Sequence, residues 1–246
     1  MTRSVDITIV DLEQNGATVP TLLYTPSDEG PVPAIVLATE AFGINDFTRR
    51  VCSELAAAGY VVAAPDYYRG HGLKNPESYT DFTEVMQFID DLDFTDGTHD
   101  VMAAIAYVRQ LPNVDPARVV VWGYCTGGTL ALLTACLDRG LAAAVLFFPS
   151  QPTFPELTPK RPVQPIDLLW NAACPILLIY GDQDPFAELF DLYRRRFEQW
   201  DVDATFNLYE GAGHAFSAPV PPLRHDAADK ASWADALAFV AERTGP

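Results

Sequence analysis

The sequence of 246 residues predicts a doubly wound α/β fold whose sheet is mostly parallel. Strand-like segments alternate with helical segments along most of the chain. The strand-like segments are continuous apolar runs, which is typical of strands covered by helices on both faces. The chain is 49% hydrophobic and 20% charged, so it can bury a large core. We therefore expect residues 1–246 to form a single domain.

The elements follow in a regular order. An opening hairpin is expected from segments 5–10 and 19–24, which flank the turn Asn15-Gly16. Further strands are predicted at 34–38, 61–64, 119–122, 142–147, 175–180 and 204–209. Helices are predicted at 47–58, 80–89, 98–110, from 129 onward, at 186–200 and at 226–243. The proline-rich segment 149–165 is interpreted as a long surface connection between two strands of the same sheet.

The segment Gly123 to Gly128 reads GYCTGG and lies between a predicted strand and a predicted helix. Its G-x-C-x-G pattern is the cysteine form of the G-x-S-x-G nucleophile elbow of α/β-hydrolases. In such an elbow the nucleophile has a strained backbone, and its neighbours must lack side chains for the turn to close. The sequence therefore predicts Cys125 as a nucleophile at a helix N-terminus, where negative charge is stabilised. The alternative is a cysteine that only packs in a glycine-rich turn.

Two further residues fit the order of nucleophile, acid and histidine that α/β-hydrolases use. Asp184 lies in GDQDPF, just past a predicted strand, where α/β folds build their sites. Asp182 is the alternative acid, although an aspartate at that position often caps a turn or helix. His214 lies in the small-residue loop of YEGAGHAF. The other three histidines precede the elbow or lie in the first turn of the predicted last helix.

These residue types suit acyl transfer. A thiolate attacks, a histidine accepts and later returns a proton, and a carboxylate fixes the tautomer of the histidine. The developing oxyanion needs donors, conventionally the N–H after the nucleophile and one from the loop after an early strand. In this chain the first is Thr126 and the second belongs to the segment 39–43.

Five segments in order carry a resemblance to a known family: TEAFGIN, APDYYRG, GYCTGG, YGDQDPF and GAGHAF. Together they resemble the dienelactone hydrolases, or carboxymethylenebutenolidases, of the α/β-hydrolase superfamily. The resemblance implies a cytoplasmic hydrolase of a small lactone or ester, a monomer or weak homodimer, which acts through an acyl-enzyme. It also implies the site residues, which are Cys125, Asp184 and His214 as the triad, Ala41 and Thr126 as oxyanion donors, and Glu40 as a glutamate that contacts the thiol.

Glu40 also has a physical rationale of its own. A carboxylate buried near a thiol has a raised proton affinity and can hold or accept the thiol proton. Glu40 lies between the apolar segments 35–38 and 41–43, where burying a carboxylate without a task is costly. The alternative is a loop carboxylate exposed to water.

The sequence departs from the family where the substrate is recognised. Dienelactone carries a carboxylate, which the family holds with arginines, one of them a few residues after the catalytic histidine. After His214 the chain has no arginine until Arg224, and Arg69 is the only arginine between Asp66 and His99. Without a bidentate clamp, a neutral ester, lactone or thioester is to be expected at least as much as an acidic lactone. The expected substrate-binding residues are Phe42, Tyr68, Arg69 and Phe216.

Composition excludes several other classes. The formal net charge of −17 argues against nucleic acid binding, which needs a basic surface. The four cysteines lack metal-ligand spacing, so we expect neither a metal nor a cofactor, and Cys52, Cys136 and Cys174 are expected in the core. No apolar run is long enough for a membrane span, no apolar leader begins the chain, and a reduced thiol suits the cytoplasm. A ligand-binding member without activity and a thiol redox sensor are the alternative functions.

Overall fold

A computed structural model describes residues 3–28, 30–72, 82–220 and 222–245. The strands form one sheet in the order β1-β2-β4-β3-β5-β6-β7-β8. Its strands are β1 (Val5–Gln14), β2 (Ala17–Pro26), β3 (Val32–Ala38), β4 (Val61–Pro65), β5 (Val114–Tyr124), β6 (Ala143–Phe147), β7 (Ile176–Gly181) and β8 (Ala204–Tyr209). The helices are α1 (Asp46–Ala57), α2 (Phe82–Asp91), α3 (Phe94–Val108), α4 (Thr126–Leu137), α5 (Phe190–Gln199) and α6 (Asp226–Thr244), with 3-10 helices at Pro165–Asn171 and Pro185–Leu189.

The sheet confirms the predicted α/β architecture. β1 and β2 form the expected antiparallel hairpin, and Asn15 and Gly16 at its turn have φ of +50° and +73°. β2 is also antiparallel to β4. Every other neighbouring pair, from β4 through β3 to β8, is parallel. The carboxyl ends of these parallel strands meet at one edge of the sheet, where α/β folds place their sites.

Helices cover both faces of the central strand β5. Trp122 and Tyr124 are two residues apart and so point to the same face, where they contact Trp233 of α6 and Phe47 of α1. Gly123 points to the opposite face, against the first turn of α4. The strand is therefore apolar on both sides, as its uninterrupted apolar sequence predicts.

Three helix starts differ from the prediction by more than one residue. α3 begins four residues earlier, because Asp93 caps it and Gly97 lets Leu130 approach closely. α4 begins at Thr126 and includes two glycines that helix propensity disfavours. The predicted helix 186–200 starts as a 3-10 helix at Pro185 and becomes α-helical only at residue 190. The predicted start of α2 at Thr80 lies outside the described residues.

The proline-rich segment 149–165 joins β6 to β7 as expected, but it is not merely a surface connection. Arg161 is only 8% exposed, and its guanidinium lies over the rings of Phe94 and Phe154. The same guanidinium donates to the main-chain oxygens of Ile89 and Asp90. These contacts fasten the segment to α2 and α3, because a buried guanidinium needs acceptors for its donors.

Candidate active site

Cys125 lies at a tight turn between β5 and α4, with φ of +52°. A Cβ atom on Gly123 would lie 2.0 Å from the main-chain oxygen of Gly127. A Cβ atom on Gly127 would lie 2.1 Å from the main-chain oxygen of Thr39. Backbone atoms cannot move aside for a side chain, so these positions require glycine. The motif predicts glycines at these positions for steric reasons, and the structure confirms those reasons.

The structure brings Cys125, His214 and Asp184 into one hydrogen-bonded chain. His214 Nε2 lies 3.1 Å from Cys125 Sγ, and His214 Nδ1 lies 2.8 Å from Asp184 Oδ2. The Asp184 side chain is fully buried, and its Oδ1 accepts the Phe186 N–H at 2.8 Å. A carboxylate bound in this way can hold the histidine in the tautomer that accepts a proton from sulfur.

Charge around His214 favours the imidazolium. Burial by itself lowers the pKa of His214, but its electrostatic interaction with Cys125 and its hydrogen bonds to Asp184 and Cys125 outweigh burial and raise the pKa to about 10. His214 therefore lies between the Cys125 sulfur and the Asp184 carboxyl group, in surroundings that favour its protonated form.

Two aromatic rings that the sequence analysis did not assign to the site hold the imidazole. Phe148 and Phe186 contact it edge to face, with ring centroids 5.2 Å and 5.4 Å away. Phe148 has φ of +37°, and strain of this kind gathers at functional sites. Phe186 is the last residue of the GDQDPF motif that carries the acid, whereas nothing near Phe148 in sequence signalled its role.

Asp182, the alternative acid, contacts the histidine loop rather than the histidine. Its Oδ1 accepts the Gly211 N–H at 2.8 Å, and its own N–H donates to the main-chain oxygen of Tyr209. The adjacent Gln183 N–H donates to the main-chain oxygen of Ala212. These bonds join the loop that carries Asp184 to the loop that carries His214.

Glu40 follows β3, and its Oε1 accepts a hydrogen bond from Asn45 Nδ2 at 2.7 Å. Burial raises the pKa of Glu40 to about 7, although the Asn45 bond, the Phe42 N–H and the charge of His214 each lower it. Asn45 also caps α1 through the Thr48 N–H. The Cys125 thiol has His214 as its partner here, with Thr126 Oγ1 at 3.9 Å.

The two residues expected as oxyanion donors are both buried. Thr126 is fully buried and begins α4, while Ala41 is 3% exposed in the turn after β3. That turn is closed by the Gly43 N–H, which donates to the main-chain oxygen of Glu40. The Tyr67 hydroxyl fixes it further through the main-chain oxygen of Thr39 at 2.6 Å.

The expected substrate-binding residues differ in their surroundings. Phe42 and Tyr68 are buried beside the turn after β3. Phe216 is fully buried and packs on Phe148, in the core behind the histidine. Arg69 forms a bidentate ion pair with the fully buried Asp100, at 3.1 Å and 2.9 Å. Its fork is therefore already occupied by a carboxylate of the chain itself.

The three other cysteines are buried and unpaired, which confirms the expectation that they belong to the core. Burial raises the pKa of the Cys52 thiol, and it raises the pKa of Cys136 and Cys174 to about 12. Cys125 alone among them is partly exposed. Within the described ranges, no helix is both long and apolar enough to cross a membrane.

Comparison with known proteins identifies the family. The Dienelactone hydrolase family profile matches residues 19–244. The chain belongs to the dienelactone hydrolase family. A Bradyrhizobium protein described as "Probable 2-oxo-3-(5-oxofuran-2-ylidene)propanoate lactonase" is 28% identical over 97% of this chain and 95% of its own length. A "Putative carboxymethylenebutenolidase" of Salmonella typhimurium is 27% identical, over 96% of this chain and 87% of that protein.

Solved structures agree on the fold. The crystal structure of a "Putative Dienelactone Hydrolase" from Klebsiella pneumoniae superposes with a TM-score of 0.86 at 24% identity, covering 97% of this chain and 99% of the other. This dienelactone hydrolase family member therefore has the α/β-hydrolase fold. Membership of the family makes it a hydrolase of esters or lactones.

Proposed function

We propose that the protein hydrolyses a small, uncharged ester or lactone with Cys125 as nucleophile, His214 as base and acid, and Asp184 as the group that orients the histidine. The observation that carries the proposal is the continuous hydrogen-bonded chain, 3.1 Å from sulfur to Nε2 and 2.8 Å from Nδ1 to the carboxylate. All three groups follow strands of one sheet, which supports a single catalytic domain spanning the chain.

The reaction has two halves. The thiolate attacks the substrate carbonyl carbon, a C–S bond forms, and the carbonyl oxygen becomes an oxyanion. The oxyanion collapses, the C–O bond to the leaving alkoxide breaks, and the imidazolium gives the alkoxide its proton. Neutral His214 then takes a proton from water, and the resulting hydroxide attacks the carbonyl carbon of the thioester. The C–S bond breaks, which releases the Cys125 thiolate and the carboxylic acid product. A lactone yields one hydroxy acid, because both halves remain joined.

We assign the oxyanion donors to the N–H groups of Thr126 and Ala41. Thr126 follows the nucleophile at the first position of α4, where the helix dipole also favours negative charge. Ala41 is buried in the turn that the Tyr67 hydroxyl fixes. Glu40 is assigned the role of holding a proton near the thiol, which its pKa of about 7 and its electrostatic interaction with His214 support.

We infer an uncharged substrate because the two arginines expected to bind a substrate carboxylate, Arg69 and Arg224, are already paired with carboxylates of the chain. Arg69 is bound bidentately to Asp100, and releasing it would leave a buried carboxylate without its partner. Arg224, the first arginine after the histidine, pairs with Asp226 and Asp229. The net charge of −17 also slows the approach of anions at low salt.

A substrate panel with and without iodoacetamide tests the nucleophile. We expect turnover of small activated esters and neutral lactones, loss of that turnover on alkylation, and one modification at Cys125 by mass spectrometry. Cys125→Ala should abolish turnover with an unchanged circular dichroism spectrum. Cys136→Ala is the matched control, because it removes a buried thiol near the C-terminal end of α4 and should leave turnover intact.

Two outcomes would overturn the assignment. Turnover retained in Cys125→Ala would move the nucleophile elsewhere, and peroxide-dependent modification without any ester turnover would favour redox sensing. The charge of the substrate has a separate test, which compares dienelactone with its methyl ester. We expect kcat/KM for the methyl ester to be at least equal, whereas a strong preference for the free acid would contradict a neutral substrate.

A further inference from the structure

Two adjacent tyrosines after β4 have opposite hydrogen-bonding states. Tyr67 and Tyr68 are 4% and 7% exposed, and their ring centroids are 4.6 Å apart. The Tyr67 hydroxyl donates to the main-chain oxygen of Thr39 at 2.6 Å. The Tyr68 hydroxyl is buried without a hydrogen-bond partner among the described residues. A buried polar group left in this state destabilises the fold, so its retention needs another explanation.

The ring of Tyr68 is held firmly, so the direction of its hydroxyl is set by packing. It packs on Tyr67 on one side and on Phe88 on the other, with the Phe88 centroid 4.9 Å away. A Cβ atom on Gly43 would lie only 3.3 Å from Tyr68 Cδ2, so the main chain also touches the ring closely. A ring fixed in this way presents its hydroxyl with little loss of conformational entropy.

The hydroxyl lies near the first residue of α4. The groups that act on it electrostatically are the side chains of Tyr67 and Thr126, together with Cys125 and Glu40. Thr126 Oγ1 in turn lies 3.9 Å from Cys125 Sγ. Tyr68 and the Cys125 sulfur therefore share Thr126 as a neighbour. Burial raises the pKa of Tyr68, so the phenol keeps its proton and acts as a donor at any working pH.

We propose that the Tyr68 hydroxyl is a third hydrogen-bond donor to the oxyanion formed when Cys125 attacks the substrate carbonyl. The proposal rests on the cysteine hydrolase function proposed above. The phenol donates a hydrogen bond and transfers no proton, so no bond of Tyr68 forms or breaks. A donor without a partner in the free enzyme gains a charge-assisted bond only in the transition state, which lowers the barrier rather than KM.

Tyr68→Phe tests the proposal with a neutral ester as substrate. We expect kcat to fall about a hundred-fold, the order seen when one oxyanion donor is removed, with KM changed less than about twofold. The melting temperature should stay the same or rise, because the substitution removes a hydroxyl that has no partner. A residue with a merely structural role would instead lower both the melting temperature and kcat.

Tyr193→Phe is the matched control. The Tyr193 hydroxyl is also buried without a hydrogen-bond partner among the residues described, but it belongs to α5. The same atom is removed in both variants, so kcat should be unchanged in Tyr193→Phe. A second readout is inhibition by a trifluoromethyl ketone, whose carbonyl becomes an oxyanion when the thiolate adds. Tyr68→Phe should weaken this inhibitor by the same factor as kcat/KM falls, and Tyr193→Phe should not.

The outcomes separate the two proposals. If the wild type hydrolyses esters and Cys125→Ala does not, an unchanged kcat in Tyr68→Phe overturns the role of Tyr68 alone. A fall in kcat without weaker ketone inhibition also overturns it, since the hydroxyl would then act elsewhere. If Cys125→Ala retains turnover, the cysteine mechanism itself fails, whatever Tyr68→Phe does.

Discussion

The two sides of the Cys125 sulfur differ in how their polar groups are satisfied. On the histidine side, Asp184 uses one carboxylate oxygen for His214 and the other for the Phe186 N–H. Elsewhere around the sulfur, the Tyr68 hydroxyl has no hydrogen-bond partner within the described ranges, and Glu40, in the turn after β3, has a pKa raised to about 7 by burial. The polar groups on the histidine side therefore have their hydrogen-bond partners before substrate arrives, whereas the Tyr68 hydroxyl still lacks one.

This difference corresponds to two different requirements of the proposed reaction. In the proposed mechanism, the histidine side delivers one proton along a fixed path, so its geometry can be built in advance. In the same mechanism, the other side binds a charge that exists only during reaction, so its donors gain their partner only then. Substitutions on the histidine side should therefore change chemistry with little change in stability. Substitutions at Glu40 should change stability with pH.

The largest effect is expected from Asp184→Asn. The amide removes the charge that supports the imidazolium and favours the wrong tautomer, so kcat should fall about ten-thousand-fold. The new side-chain oxygen can still accept the Phe186 N–H, so the melting temperature should change little. Steady-state kinetics with calorimetry checks both. Activity close to that of the wild type would remove Asp184 from the triad.

Glu40→Gln tests the other side of the sulfur through the pH dependence of the free energy of unfolding. Between pH 4.5 and about 7 the native carboxyl holds a proton that the unfolded chain has lost, because its pKa is raised from 4.5 to about 7. The contribution of Glu40 to stability is therefore most favourable below pH 4.5 and is lost as pH rises through 7. The amide in Glu40→Gln cannot titrate, so the variant should be more stable than the wild type above pH 7, by about 2 kcal/mol after allowing for partial solvent screening.

Urea unfolding at intervals from pH 4.5 to 8 measures this difference. The amide introduced by Glu40→Gln keeps an oxygen that can accept the bond from Asn45, so the comparison isolates the proton. Glu210→Gln, which removes one charge from an exposed side chain, accounts for the general effect of net charge. Parallel stability curves for the wild type and Glu40→Gln would show that the Glu40 carboxyl is solvated and that its pKa is not raised in the folded state.

The proton on His214 is tested through the leaving group. Burial lowers its pKa, but Cys125 and Asp184 raise it to about 10, so the imidazolium persists until the pH exceeds that value. For an alkyl ester, whose alkoxide needs a proton to leave, kcat/KM should fall about tenfold per pH unit above that point. A nitrophenyl ester needs no proton on its leaving group and should not show this fall. Cys125→Ala supplies the background rate, and identical profiles for the two esters would exclude His214 as the acid.

The sequence predicts most of the fold because the relevant signals are local. Apolar runs covered on both faces mark the parallel strands, and the glycines of the elbow follow from contacts within one strand, turn and helix. Helix starts were less accurate. Gly97 and Gly127 lower helix propensity, yet each lies inside a helix because a neighbouring residue fills the space that a side chain would occupy.

The site is predictable only as far as motifs reach. Cys125, Asp184 and His214 follow from chain order and from the resemblance, and they lie together in the structure. The pairing of Arg69 with Asp100 joins positions 31 residues apart, and no pattern in either segment announces it. The edge contact of Phe148 with the imidazole is likewise a product of tertiary packing.

The smallest effect is expected at Asp182. Substitutions there distinguish a carboxylate that binds the backbone of the histidine loop from one that binds the histidine itself. Asp182→Asn keeps an oxygen that can accept the Gly211 N–H, so kcat should fall less than about threefold, whereas Asp182→Ala removes the acceptor and should lower stability by about 1 kcal/mol. Kinetics and urea unfolding of both variants check this order. A larger loss of kcat in Asp182→Asn than in Asp184→Asn would reverse the assignment of the acid. The expected order instead makes Asp182 a positioning residue, because it acts on His214 only through the backbone of the loop that carries it.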